Sequence, residues 1–209
     1  MRAYLPSDRS ALRHLTCDTA DRGRPVEAVF PDRDVFADVV TRYYTDDEPQ
    51  ATWIAEADGQ VVGYLTGCFD TRRYWRIMTW RIIPQTTLKA ILRGALASRR
   101  TWRLIGAGIA TILRGWRRQV PPAYAAHLHV NVRHDFRGRS VGRRLLERFC
   151  ERAKAAGVTG VHLGVREDNE AACRFFERLG FTLLHRDPFV SLDATGRHLR
   201  FTRLYGKRL

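Results

Sequence analysis

Residues 138–156 place Val141, Leu145, Leu146, Phe149, Cys150 and Ala153 every three or four positions, with Arg143, Arg144, Glu147, Arg148, Glu151 and Arg152 between them. That spacing gives one apolar and one charged helical face, so it predicts an amphipathic helix, which Gly157 ends. Residues 124–133 instead alternate with period two. Leu128, Val130 and Val132 fall on one face and His127, His129 and Asn131 on the other, the mark of a strand. Two further β-rich runs, 51–57 and 60–68, are joined by Asp58-Gly59, a hairpin turn signal. A strand over 158–166, a helix over 169–179 stopped by Gly180, and strands over 181–186 and 197–205 complete the second half. At the start, 7–20 and 31–44 read as helices, the latter with Val35, Phe36, Val39, Val40 and Tyr43 at helical spacing behind the start signal Pro31-Asp32. The order from residue 51 predicts an α/β chain with a mixed sheet.

Residues 70–121 break this order. Leu88, Ile91, Leu92 and Ala95, then Trp102, Ile105, Ile109, Ile112, Leu113 and Trp116, keep a helical period, with Arg93, Arg99, Arg100, Arg103, Arg114, Arg117 and Arg118 interleaved. Charge sharpens the picture. The chain of 209 residues carries a formal net charge of +14, yet residues 71–134 hold 13 basic residues and no acidic one, whereas residues 1–70 hold 7 basic and 13 acidic. Arginine-rich composition raises Arg everywhere, but it does not empty one stretch of Asp and Glu. Three readings stay open for this insert. It is a pair of helices packed on the domain, a lid at an acceptor entrance, or a contact with a membrane surface or nucleic acid through Trp75, Trp80, Trp102, Trp116 and the arginines.

The length suits a single domain, 1–209, with the insert at about 70–121. A hydrophobic fraction of 44% excludes a mainly disordered chain. Cys17, Cys68, Cys150 and Cys173 form no CxxC and read as isolated reduced thiols. No window of about 20 uncharged apolar residues exists, and the N-terminus lacks a signal-peptide pattern, so a soluble cytoplasmic protein is expected.

The candidate chemistry lies between the strand ending at Val132 and the long helix. Arg137-Gly138-Arg139-Ser140-Val141-Gly142 joins them. Glycines there allow a tight turn and close approach of a ligand, and the free amides and dipole of a helix start form an anion site. Arg137, Arg139 and Arg143 reinforce the positive field, and a pyrophosphate is the natural occupant.

The stretch from Val132 through Arg137, Gly138, Ser140 and Gly142 to Leu146 resembles the acyl-CoA pyrophosphate loop of the GNAT superfamily of N-acetyltransferases. Asn169, Ala172, Phe175, Phe176, Leu179, Gly180 and Phe181 resemble that family's second signature. The resemblance covers 51–69 and 123–186, extends over 1–50, and is absent from 70–121. It implies a GNAT fold: a mixed central sheet of about seven strands, splayed between its fourth and fifth strands, flanked by helices, with the helical insert between the third and fourth. It also implies acetyl-CoA as cosubstrate and no metal. The pantetheine arm would pair with backbone at Val130 and Val132, and Gly138 to Arg143, with Val141 and Gly142, would hold the pyrophosphate. Asn169 would bond the arm, and an N–H near Val130 or Asn131 would polarise the acyl carbonyl. The acceptor would be a primary amine of a small molecule or peptide, attacking the thioester directly. A homodimer is a further expectation.

Two positions depart from the family. Ser140 stands where Gly is usual and cannot take positive φ as cheaply. Phe176, in the CoA site, stands where many members carry a Tyr that protonates the departing thiolate. Gly164 stands where the branch that modifies protein N-termini carries a Glu base. For the base, His129, with Asn131 beside it on the strand face, is the candidate, Glu56 a weaker one. Asp168 is expected to cap the helix that follows it. His127 and His129 share a face, but no third ligand at telling spacing points to metal.

Overall fold

The computed structural model describes residues 1–20, 25–28, 30, 32–113, 120–193 and 196–209. A short strand, β1 (Arg2–Ala3), leads through a 3-10 turn into α1 (Arg9–Asp18) and then α2 (Arg33–Asp46). Asp32 caps α2, its Oδ1 accepting from Val35 N at 3.0 Å. The hairpin β2 (Trp53–Ala57) and β3 (Gln60–Cys68) turns at Asp58 and Gly59, both at positive φ (51° and 71°), as a tight two-residue turn requires. The insert follows as α3 (Thr71–Ile77), α4 (Ile83–Leu92) and α5 (Arg99–Leu113). Next come β4 (Ala126–Val132), α6 (Val141–Ala155), β5 (Gly160–Arg166), α7 (Glu170–Arg178), β6 (Thr182–Asp193) and β7 (Gly196–Arg208). The seven strands form one mixed sheet ordered β1-β2-β3-β4-β5-β7-β6, as the α/β reading expects.

Two layers of helix cover this sheet. Leu65, Leu128, Leu145, Leu146 and Phe149 belong to the main core, between the sheet and α6 with α7. On the other face α1 packs Leu12 and Leu15 on Ile54 and Tyr64, while Tyr43 and Tyr44 of α2 meet Cys68, Met78 and Ile82. Helix α6 lies very close to β3. A Cβ on Gly67 would stand 2.3 Å from Phe149 Cε2 and 3.0 Å from the His127 carbonyl, so only glycine admits the helix at this depth. That approach fixes where the start of α6 falls relative to the end of β4.

The insert packs on the domain as three helices, α3 to α5. Helices α3 and α4 are joined by a π turn, Met78–Ile82, with helical backbone at both junctions. Pro84 follows at once, and its missing N–H would break the α ladder there, so the wider turn sits where the ladder is interrupted. Lys89 Nζ reaches Asp38 Oδ2 at 2.5 Å, Arg93 Nε reaches Asp32 Oδ2 at 2.6 Å, and Arg81 pairs with Asp47. The acid-free segment therefore docks on the acids of α2 and its two caps. Its far end, α5, packs on β6, where Val190 N donates to Thr111 Oγ1 at 2.9 Å. Arg114, Trp116, Arg117 and Arg118 lie outside the described residues, as does Pro31; of Arg100, Ile112 and Leu113 only the backbone is described.

The last hairpin is longer than the sequence suggested. The strand expected over 181–186 runs to Asp193, through Pro188, because β6 is the sheet's edge and the N–H that Pro188 lacks falls on the side away from β7.

Gly67→Ala is expected to cost about 1–3 kcal/mol through overpacking against Phe149. Urea unfolding should show a lower midpoint at unchanged m; an unchanged midpoint would mean α6 can shift freely.

Candidate active site

The β4–β5 ladder is short. The two parallel strands pair at Ala126↔Val161 and His127↔His162, and no rung follows. Arg133 N donates to Val62 O at 2.9 Å, which sets the alternation of the antiparallel β3–β4 pair. The odd-numbered residues of β4 thus direct their backbone groups to β3, and Leu128, Val130 and Val132 direct theirs into the gap. On the other side, Glu167 N donates to Phe201 O at 2.9 Å, so Gly164 and Arg166 turn theirs into the same gap. A cleft lined by strand edges opens inside the sheet.

At the end of this edge the chain turns into α6. Arg137 Nε meets Val132 O at 3.2 Å and folds the loop back on the strand. Phe136 lies under two guanidinium groups, with Arg133 Cζ at 4.7 Å and Arg139 Cζ at 5.0 Å from the ring centre. Gly138 and Ser140 both take positive φ, 77° and 58°. Ser140 therefore adopts the conformation that favours glycine, at a cost of roughly 1–2 kcal/mol. It is the residue before α6, and the first helical bond runs from Arg144 N to Ser140 O. The amides of Val141, Gly142 and Arg143 precede that bond, so a helix start with three uncommitted N–H groups and exposed Arg137, Arg139 and Arg143 adjoins the cleft. A Cβ on Gly142 would touch Phe175 of α7 at 3.4 Å, which keeps the two helices together at this point.

The face of β4 that looks toward α2 carries the histidines. His127 is buried. Its Nε2 lies 2.8 Å from Tyr44 Oη and its Nδ1 2.9 Å from Thr71 Oγ1 and 3.0 Å from Cys68 Sγ. Thr71 already donates to Ala125 O at 2.7 Å. One neutral tautomer satisfies the whole set, with Nδ1–H donating and Nε2 accepting from Tyr44. Burial, with His129 and His162 as like neighbours, holds His127 well below the usual histidine range. The His129 ring, centred 5.8 Å from that of His127, is open to water at the cleft, yet the protein around it still disfavours the charged form and lowers its pKa. His162, across the last rung, bonds Tyr124 O through Nδ1 at 2.8 Å and is likewise lowered by burial. Burial also pushes the Cys68 thiol up, which makes it a packing group.

The other predicted residues take diverse places. Asn131 shares the face with His129, but its Nδ2 donates to Tyr64 Oη at 2.7 Å, and its own backbone groups point to β3. Asn169 caps α7, its Oδ1 accepting from Ala172 N at 3.3 Å, which leaves Nδ2 as its donor end. The cap expected of Asp168 belongs to Asn169; Asp168 instead holds Arg166 at 2.9 Å. Phe176 is buried between Phe175 and Phe181, at centroid distances of 5.0 and 5.6 Å. Glu56 pairs with Arg2 at 2.9 Å, two strands from the gap. Cleft-lining Gly164 is exposed. Tyr44, Thr71 and Tyr74, whose ring is centred 4.6 Å from that of His127, were not singled out from sequence; they come from α2 and the insert, and nothing local marks them. Among the described residues no group of three His, Cys, Asp or Glu side chains is placed to hold a metal.

The buried His127 and His162, neutral in the folded chain, titrate near pH 6.5 once unfolded. The unfolded state then binds more protons on acidification, so stability must fall as pH drops below about 6.5. His127 alone accounts for about 2 kcal/mol between about pH 6.5 and about pH 5, above the range where the paired carboxylates titrate. Urea unfolding at the two pH values checks this, and equal stability would contradict the buried neutral assignment.

Comparison with known proteins agrees with the geometry. Residues 94–181 match the acetyltransferase (GNAT) family model. The chain is 35% identical over 68 residues to a mycothiol acetyltransferase of Corynebacterium aurimucosum (32% of this chain, 22% of that one). It is 38% identical over 53 residues to an acetyltransferase of Pectobacterium atrosepticum (25% of this chain, 38% of that one). The chain thus spans well under half the length of these curated relatives. Among solved structures, SsHAT superposes over 99% of this chain and 96% of its own at 26% identity and TM-score 0.71. The yncA protein of Salmonella typhimurium, solved with its cofactor acetyl-CoA, covers 100% of this chain and 92% of its own at 17% identity and TM-score 0.59, a likeness of fold alone. Sheet topology and the family model matched by residues 94–181 converge on the GNAT acetyltransferase fold.

Proposed function

We propose that the chain is an acyl-CoA-dependent N-acetyltransferase that transfers an acetyl group from acetyl-CoA to a primary amine of a small molecule or peptide. The observation that carries this reading is the β4 edge at Val130 and Val132, left unpaired by β5 where the ladder stops and running directly into the helix start at Val141. An extended amide-bearing arm ending in a pyrophosphate matches that sequence of groups in polarity. Acetyl-CoA, when bound, supplies an acyl group already activated as a thioester.

The chain's own residues then have distinct tasks. Val130 and Val132 offer strand-like hydrogen bonds, and the Val130 N–H, aimed into the gap, is the donor placed for developing negative charge on an acyl oxygen. Gly138 to Arg143 hold diphosphate through amides, helix dipole and arginines. Asn169 Nδ2 donates to the arm. His129, neutral and open to the cleft, accepts a proton from the attacking amine. Phe176 has no proton to give, so the departing sulfur takes its proton from water or, through His129, takes the one the amine gave up. Acetyl-CoA chemistry of this kind fits a cytoplasmic protein. Phe176 also favours a second reading, an acyl-CoA-binding module without turnover.

Acetyl-CoA is expected to raise the melting temperature by several degrees, and a panel of primary amines to contain one that accelerates thiol release. No thermal shift overturns the reading, and a shift without any thiol release favours the binding module. In a turning-over system His129→Ala should lower kcat about a hundredfold with acetyl-CoA affinity unchanged; unchanged kcat removes His129 from the chemistry.

A further inference from the structure

Among the described residues, the insert presents an outer side on which large apolar side chains are exposed. From Thr71 to Leu92 the chain is helical, and its inner residues Ile82, Thr86 and Ala90 are buried. Every fourth position on the opposite side runs Trp80, Pro84, Leu88, Leu92, with Ile83 and Ile91 beside them. Trp80 is 80% exposed, Leu92 79% and Leu88 57%. Helix α5, which follows after Gly94, repeats the arrangement with Trp102, Ile105 and Ile109 exposed. Side chains of this size on a monomer's surface mark a contact.

Charge identifies the occupant. The insert's inward cations Arg81, Lys89 and Arg93 are spent on Asp47, Asp38 and Asp32. Arg72, Arg73, Arg76, Arg99 and Arg103 are exposed around the apolar stripes, and no acidic residue lies between Thr71 and His134. A second copy offering the same surface would set cation against cation. A nucleic acid would be met by the arginines, but the exposed leucines and isoleucines would find nothing to pack on. An anionic bilayer satisfies both, with acyl chains under the stripes and headgroups at the arginines. None of the described helices is long and apolar enough to cross a membrane, so the helices lie in the surface plane.

We propose that the insert docks this protein on the surface of anionic lipid bilayers, through Trp80, Leu88 and Leu92 of the first helix and Ile105 and Ile109 of α5. The first helix also carries Thr71 and Tyr74 against His127. A bilayer on its outer side therefore lies on the side of the sheet where His129 opens. The docking does not depend on the acetyl-transfer reading.

Cosedimentation of the full chain with phosphatidylcholine vesicles, with and without phosphatidylglycerol, tests this. Binding should be at least about tenfold stronger to the anionic vesicles and should fall steeply with salt, since each basic residue near such a surface is worth about a fivefold gain. The double variant W80S/L92S should lose about tenfold or more in binding while keeping its melting temperature, both side chains being solvent-exposed. R99E/R103E should weaken binding and flatten its salt dependence. Equal binding to both vesicle types, or to neither, overturns the proposal. So does RNA binding that W80S/L92S leaves intact in the absence of vesicle binding, or a self-associated state that W80S/L92S dissolves without vesicle binding. The acetyl-CoA thermal shift, read on the same samples, keeps failure of docking separate from failure of the enzymatic reading.

Discussion

Two rungs of parallel ladder, Ala126 to Val161 and His127 to His162, join the halves of the sheet before β4 and β5 part. Had pairing continued, Val130 and Val132 would have spent their backbone groups on Gly164 and Arg166, and the sheet would be closed. Because it stops, the backbone groups of Val130 and Gly164 face an opening inside the sheet, while Arg137 and the Asn169 amide take up the carbonyls of Val132 and Arg166. Unpaired backbone in a protein interior is costly unless something supplies the partners. The rest of the architecture serves to hold that opening. Gly67 lets Phe149 bring α6 down onto β3. Ser140 accepts a left-handed backbone so that α6 begins at the mouth of the gap. Phe175 packs α7 against Gly142 on the same side.

The buried histidine at the last rung has a structural part in this. His127 sits where the strands are still paired, and its ring ties β4 to α2 through Tyr44 and to the first helix of the insert through Thr71. One step further along the same face, His129 meets the open cleft. The two residues differ by two positions in sequence and by one strand repeat in space, and that repeat separates a satisfied core group from an exposed imidazole.

Much of this was legible in the residues. The helix at 141–155 follows from its apolar stripe, the β2–β3 hairpin from Asp58-Gly59, and the tight turn before α6 from glycines set between a strand and a helix. What local pattern did not carry came from distant partners. The Tyr44–His127–Thr71 set joins three segments whose meeting depends on the whole sheet. The hairpin of β6 and β7 outran its expected ends because Pro188 lies on an edge and α5 covers β6, neither of which a short window reveals. Ser140 shows the opposite relation. The residue looked unsuited to positive φ, and the structure imposes that conformation on it all the same, since the turn into α6 is set by packing elsewhere.

The pairing of the insert with α2 bears on how separable the two are. Asp32, Asp38 and Asp47 lie at the start, middle and end of one helix, and they receive Arg93, Lys89 and Arg81 in reverse chain order, as antiparallel neighbours must. Helix α2 thus works as a charge template for the segment that follows β3. Grafted onto a relative whose second helix lacks those carboxylates, residues 70–121 would arrive with their inward cations unanswered. The unit of modular exchange in this protein is therefore the helix and the insert together.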